Sequence, residues 1–213
     1  MFDLDGTLIH TAPEIAAAAN LMLQDLHKPT LPPSLIERYI GEGAVMLIRR
    51  CLVGQSSIAP ESALFEQAQD LFFKHYANNV TESKPFDGVM DGLQGLYNKG
   101  YRLACVTNKP EAFTLPLLKK TGMADFFEMV VSGDTLAKKK PDPMQLLHIC
   151  AKLNVPVTQA LLVGDSATDI AAAKAAGCYI VTVPYGYNHG NAMDVSEVDA
   201  SIEDLTQLAA LLN

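Results

Sequence analysis

ALLVGDSATDIAAAKAAGCYIVTV, residues 160–183, packs a strand, a helix and a second strand into one short stretch. Ala160 to Val163 is an apolar run that stops at Gly164-Asp165. Thr168 to Ala176 has a helical pattern, and Tyr179 to Val183 is apolar again. Two short apolar runs joined by a helix are the mark of parallel strands with a crossover connection. Moving outward, the same alternation recurs. Tyr101 to Thr107 and Met129 to Ser132 read as strands, and Met90 to Asn98, Glu111 to Lys120 and Met144 to Leu153 as helices.

The expected fold is therefore α/β, a Rossmann-like parallel sheet with helices on both faces. In such sheets ligands bind at the carboxyl ends of the strands. That places Asp3, Thr107, Ser132-Gly133-Asp134 and Gly164-Asp165 along one edge. Residues from about 12 to 80 follow a different, almost entirely helical pattern. Thr11 reads as an N-cap before Pro13-Glu14, and Ile15, Ala18, Ala19, Met22 and Leu26 follow at helical spacing. Pro32-Pro33 opens a short helix that Gly41 and Gly43 end, and Ala44 to Leu52 is helical again. Glu61 to Tyr76 carries Leu64, Ala68, Leu71, Phe72 and His75 on one face. This gives a core of residues 1–10 and 82–213 and an inserted helical cap of residues 11–81, placed to act as a lid that excludes water.

Composition narrows the function. The 213 residues are 49% hydrophobic and 19% charged, which argues against disorder. No apolar run approaches the roughly 18 residues of a membrane span, and Asp3 and Asp5 stand where a signal segment would begin. A cytoplasmic protein with no membrane partner is expected, as a monomer or homodimer. The net charge of -8 disfavours nucleic acid. A small anionic substrate stays compatible if a metal and one or two lysines offset the field. The four cysteines form no CxxC pair and read as reduced thiols.

Four motifs carry chemistry. In Phe2-Asp3-Leu4-Asp5-Gly6-Thr7-Leu8 the two carboxylates point the same way if the backbone is extended. They repel unless a metal joins them; an isolated pair of this kind would read as a solvated acidic turn, but here the carboxylates follow an apolar start and precede Gly6-Thr7-Leu8. Thr107 and Asn108 can donate to phosphate oxygens at a strand end, or simply cap the helix after Pro110. In Lys138-Lys139-Lys140-Pro141-Asp142-Pro143 the prolines stiffen the chain after Lys140, which favours Lys140 for neutralising a transferring phosphoryl group. A run of three lysines also suits a solvated loop. In Gly164-Asp165-Ser166-Ala167-Thr168-Asp169 an acid ends a buried strand and a second begins a helix. Asp165 beside Asp3 would make an oxygen-rich site suited to Mg²⁺.

All four motifs, in order, resemble the haloacid dehalogenase superfamily of phosphatases over nearly the whole chain. The resemblance implies that Asp3 attacks phosphorus and forms an aspartyl phosphate. Asp5 would serve as acid and then base. Asp3, the Asp5 backbone carbonyl and Asp165 would bind Mg²⁺, with Asp169 behind them. Thr107, Asn108 and Lys140 would hold the phosphoryl oxygens. Gly41-Glu42-Gly43-Ala44 with Leu47 and Arg50, Leu8 to Pro13, and Val183 to Gly190 further resemble the bacterial phosphoglycolate phosphatases. That likeness implies a small phosphorylated metabolite as substrate, 2-phosphoglycolate above all, met by Glu42, Gly43 and Arg50, with Arg50 facing its carboxylate. A sugar phosphomutase of the same superfamily, a phospho-accepting signalling module and an inactive binding protein are the competing readings. In the superfamily a longer apolar strand leads into the first aspartate. Here only Met1 and Phe2 precede Asp3, so a gap in the core is expected, with lower stability than a version extended upstream.

Overall fold

The computed structural model describes residues 1–56, 59–78, 83–191 and 194–212. The second boundary expected for the cap, between residues 81 and 82, lies outside them. In chain order the elements are β1 (Ile9–His10), α1 (Ala12–Asp25), α2 (Pro33–Glu37), α3 (Ala44–Val53), α4 (Ser62–Asn78) and β2 (Lys84–Pro85). Then follow α5 (Val89–Asn98), β3 (Ala104–Val106), α6 (Glu111–Lys120), β4 (Met129–Val131) and α7 (Met144–Lys152). The chain ends through β5 (Leu161–Gly164), α8 (Ala167–Ala176), β6 (Tyr179–Thr182), β7 (Ala200–Ser201) and α9 (Leu208–Leu211).

The pairs β3–β4, β5–β6 and β6–β7 are all parallel. Phe2 joins the two halves through parallel bridges to Cys105 of β3 and Val163 of β5. The Phe2 N–H donates to the Ala104 carbonyl and the Val106 N–H to the Phe2 carbonyl, at 2.9 and 2.8 Å. On the other side the Asp3 N–H donates to the Val163 carbonyl at 2.9 Å. The order is thus β4, β3, the Phe2 segment, β5, β6, β7, and Asp3 leaves the sheet at its centre. A cavity of about 310 Å³ lies beside Met1 and Phe2, lined also by Leu96, Leu103, Ile149 and Leu161.

Successive strand residues face opposite sides, and this sorts the core into two layers. Leu103 and Cys105, with Val163 and Val181, pack against Leu93 and Leu96 of α5 and Leu117 of α6. Ala104, Val106, Leu162 and Ile180 pack against Leu146 and Ile149 of α7 and Ile170 and Ala173 of α8. β3, β4 and β6 are shorter than their apolar runs because only part of each run pairs, while β5 keeps the length of its run, shifted by one residue. The helix bounds agree with the periodicity to within one or two residues, except that α2 ends at Glu37, with Arg38, Tyr39 and Ile40 between it and Gly41.

The helices α1 to α4 share a third apolar cluster, built on Ile15, Met22, Ile36, Ile48 and Phe72. Two residues from the sheet side, Tyr187 and Phe113, join it. The chain passes between this block and the sheet through β1 and β2, which pair antiparallel as Ile9↔Pro85 and His10↔Lys84. Two details differ from expectation. Thr11 stands at the start of α1 but makes no side-chain cap; its hydroxyl donates to Asp5 Oδ1 at 2.8 Å instead. On α4 the buried row is Ala68, Phe72 and Tyr76, at steps of four. Leu64, Leu71 and His75 are only partly covered, and His75 pairs with Asp25 at 2.7 Å.

No helix among the described residues is long and apolar enough to cross a membrane. All four cysteines are free thiols, with Cys51, Cys105 and Cys150 buried.

Phe2 is 2% exposed and sits where the two halves of the sheet meet. Phe2→Ala should cost about 3–5 kcal/mol of stability in urea denaturation. Tyr97→Ala, at a site 53% exposed, should stay within about 0.5 kcal/mol of the parent.

Candidate active site

Asp3, Thr107 and Asp165 stand at or just beyond the carboxyl ends of the Phe2 segment, β3 and β5. Their positions follow from the parallel pairing, which brings strand ends that are distant in sequence to one edge. Asp169 joins them from the first turn of α8, where Ser166 is the N-cap. Ser166 and Asp169 form a reciprocal capping box, each side chain accepting from the other's backbone N–H.

One carboxylate oxygen from each of Asp3, Asp165 and Asp169 lies within 4.8 Å of the others, and all three residues are buried. Lys140 lies against two of them. Its Nζ is 2.8 Å from Asp3 Oδ1 and 2.7 Å from Asp169 Oδ1. Burial opposes ionisation of Asp3; Lys140 favours it, and Asp169 and Asp165 oppose it again. The net effect pushes Asp3 up to about 8. Asp165 is pushed up to about 7, by burial first and by Asp169 next, against hydrogen bonds from the Tyr187 N–H and the Thr7 hydroxyl. Lys140 is held above the ordinary lysine range: burial works against its charge, but Asp169 and Asp3 outweigh it.

When ionised, three buried carboxylates outweigh the one ammonium they face, and they offer hard oxygen donors. That donor set fits Mg²⁺. Asp169 has both oxygens engaged, Oδ1 by Lys140 and Oδ2 by the Ser166 N–H and hydroxyl. Asp165 receives the Thr7 hydroxyl at Oδ1 and the Tyr187 N–H at Oδ2, at 2.8 and 2.7 Å. Two glycines leave room for it. A Cβ at Gly6 (φ +89°) would lie 2.5 Å from Asp165 Oδ2, and one at Gly186 would lie 2.1 Å from Asp165 Cβ.

Asp5 points to the other side of the site, as the turn at Gly6 allows. It accepts from the Thr11 hydroxyl at 2.8 Å and from Lys109 Nζ at 3.0 and 3.3 Å. Asp3, Asp5, Thr107, Asn108 and Lys109 line one narrow cavity of about 40 Å³, room for only a few waters. Ile15, Ile40, Leu47, Phe72, Phe73 and Phe113 form its apolar wall.

Other residues differ from what the motifs suggested. Both side-chain N–H groups of Asn108 are taken, by the Gly41 and Lys140 carbonyls at 3.0 and 2.8 Å. Its Oδ1 has no partner among the described residues. Arg50 does not line the cavity; its guanidinium lies 2.5 Å from Glu42 Oε1. Glu42 faces a separate, more open groove with Lys138 and Lys139, whereas Gly43 lines the cavity at the start of α3. Among the three lysines, Lys140 is the one buried against Asp3, while Lys138 pairs with Asp142 at 3.0 Å.

Sequence gave no signal for two further residues. Gln145 is fully buried and ties three loops together. Its Oε1 accepts from the Lys140 N–H, and its Nε2 donates to the Thr107 and Ser132 carbonyls. Lys109, in the same motif as Thr107, lies buried between Asp5 and Tyr76. The loop at Tyr185-Gly186-Tyr187 also braces the site. The Tyr185 hydroxyl donates to the Thr7 carbonyl, and the Tyr187 hydroxyl accepts from the Thr11 and Ala12 N–H groups.

Known proteins resemble this chain over nearly its whole length. The model of the haloacid dehalogenase-like hydrolase family matches residues 1–183. A phosphoglycolate phosphatase of Thiobacillus denitrificans is 47% identical, over all of this chain and 94% of its own length. One from Nitrosospira multiformis is 46% identical over the same shares. The crystal structure of "a predicted phosphoglycolate phosphatase" from Haemophilus somnus superposes with a TM-score of 0.93 at 32% identity, covering 100% of this chain and 96% of that one. The motifs, the sheet edge they share and these likenesses lead to one conclusion: the chain belongs to the haloacid dehalogenase-like hydrolase family.

Proposed function

We propose that this hydrolase is a Mg²⁺-dependent phosphatase of small phosphate monoesters that works through an aspartyl phosphate, with 2-phosphoglycolate as its substrate. One observation carries the reading. The carboxylate of Asp3, at the mouth of the sheet, is held by Lys140 and lies within 4.8 Å of the Asp165 and Asp169 oxygens, in the same cavity wall as Asp5 and Thr107. The substrate assignment is supported by relatives of 46–47% identity that carry the name phosphoglycolate phosphatase. A cavity this narrow suits a substrate of few atoms.

In this reading an Asp3 oxygen attacks phosphorus as the ester P–O bond breaks. Asp5 gives its proton to the leaving alkoxide, which departs as the alcohol. A water then attacks the same phosphorus, losing its proton to Asp5, and breaks the Asp3–phosphorus bond to release phosphate. Asp3, the Asp5 carbonyl and Asp165 would hold Mg²⁺, which when bound offsets the negative charge of the phosphoryl group. Asp169 keeps Lys140 and the strand-end loop in place. Lys140 and the Thr107 hydroxyl face the phosphoryl oxygens, and positioning with charge neutralisation does most of the work. Asn108, whose amide hydrogens hold Gly41 and Lys140, fixes the loop geometry. Residues 11–81 serve as the lid on a core of 1–10 and 82–213. A cytoplasmic location and a free phosphorylated metabolite as partner complete the reading.

Phosphate release from 2-phosphoglycolate with Mg²⁺, and without any added bisphosphate, should fall by roughly 10³-fold or more in Asp3→Asn. Turnover undiminished in that variant would remove Asp3 as the nucleophile. Chelation should abolish turnover, and Mg²⁺ should restore it. Independently of activity, Mg²⁺ at about ten times its Kd should stabilise the protein by about 1.4 kcal/mol. That raises the melting temperature by about 3–6 °C. Asp165→Asn should lose most of that rise; an equal rise in both proteins would exclude Asp165 as a ligand.

A further inference from the structure

Lys109 is a buried cation in the cavity that the phosphoryl chemistry leaves without a task. It is 6% exposed and lines the same wall as Asp3 and Asp5. Its Nζ donates to both Asp5 oxygens and, at 2.6 Å, to the Tyr76 hydroxyl; it lies 4.7 Å from the Tyr76 ring centroid. Burial works against its charge, but Asp5 and Tyr76 outweigh that and hold it above the ordinary lysine range.

Removing an ammonium from water is costly even when it is paired. A neutral donor could tie Tyr76 to Asp5 at lower cost. The phosphoryl group does not require Lys109, because Lys140 already stands at Asp3. What a fixed cation supplies beside the apolar wall of this pocket is recognition of a second anionic group. Position agrees with this. A leaving oxygen within reach of the Asp5 carboxylate puts the next atoms of the substrate beside Nζ, which is itself 3.0 Å from Asp5 Oδ1. An ammonium has three N–H donors. Among the described residues its side-chain partners are the Tyr76 hydroxyl at 2.6 Å and the two Asp5 oxygens at 3.0 and 3.3 Å, and the longer of the two Asp5 contacts is the one a ligand carboxylate would replace. Arg50, the cation that sequence alone offers for this task, is paired with Glu42 away from the cavity.

We propose that Lys109 is the specificity residue of this pocket: its ammonium, beside the Tyr76 hydroxyl, receives a carboxylate on the part of the substrate that is not transferred. The proposal rests on the phosphatase reading above and names the substrate class it selects, phosphate monoesters with a carboxylate close to the ester oxygen. Because Tyr76 belongs to α4 and Lys109 to the sheet edge, the contact also reports that the helical block is seated.

The test compares kcat/KM for 2-phosphoglycolate and 2-hydroxyethyl phosphate, which replaces the carboxylate by a neutral hydroxymethyl group. The full chain is used with saturating Mg²⁺. The parent should prefer 2-phosphoglycolate by roughly 100-fold, the size of one buried charged hydrogen bond. Lys109→Met should lose that factor on 2-phosphoglycolate and less than about fivefold on the neutral ester; Lys109→Arg should retain part of the preference. An equal loss on both esters would mean that Lys109 acts only through Asp5 or the fold, and would overturn the proposal. So would a parent with no preference. Lys109→Gln, which keeps a donor toward Asp5, gives the same two outcomes if the methionine variant does not fold. A parent that releases phosphate from neither ester would bring down the phosphatase reading and this proposal together, whereas intact hydrolysis with unselective variants sinks this one alone.

Discussion

The burial of Asp3, Asp165 and Asp169 side by side against a single Lys140 is the constraint on which the rest of the structure depends. Like charges at this separation in a poorly hydrated site oppose ionisation strongly. The protein tolerates them by engaging their oxygens: Thr7 and Tyr187 on Asp165, Ser166 and Lys140 on Asp169, Lys140 on Asp3. Each of those partners must itself be held. Gln145 fixes the Lys140 backbone and the ends of β3 and β4, and Tyr185 fixes Thr7. The polar network is nearly complete, which is the condition under which a buried network rigidifies a site instead of weakening it.

The same site reaches into the helical block. Thr11, at the start of α1, donates to Asp5, and Tyr76, on α4, accepts from Lys109. Phe113 of α6 stands within the apolar cluster of the block, 4.9 Å from the Tyr76 ring and 5.4 Å from that of Phe73. Opening the block would therefore expose both apolar wall and buried charge. The paired strands β1 and β2 confine such a motion to a narrow neck. The cavity between the two parts is small and walled on one side by apolar residues, so a charge fixed there interacts strongly with whatever enters.

What the chain says without its structure is set by local physics. Alternating apolar runs and helical periodicity are properties of neighbours in sequence, so the α/β class and most helix bounds are legible from the stretch at 160–183 outward; the end of α2 at Glu37, ahead of the break at Gly41, is not. The four motifs were legible for the same reason: Asp3-Leu4-Asp5-Gly6 and Gly164-Asp165 carry their turn chemistry with them, and a parallel sheet sends every strand end to one edge.

Other features depend on groups that meet only when the chain is folded. Thr11 looks like a cap, yet its hydroxyl donates to Asp5 at 2.8 Å, and its backbone (φ −104°, ψ −8°) lies in the helical region instead of the extended one from which a side chain caps. Asn108 looks like a phosphate donor until Gly41 and Lys140, distant in sequence, take its hydrogens. Arg50 and Lys109 are both cations near glycine-rich or polar turns; which one faces the cavity was decided by the packing of α3 and α4 against the sheet edge. The residue types and their local turns came from the sequence itself. The partners of each charge came from tertiary contact alone, because the energy of a buried ion depends on what surrounds it in space and not on what precedes it in the chain.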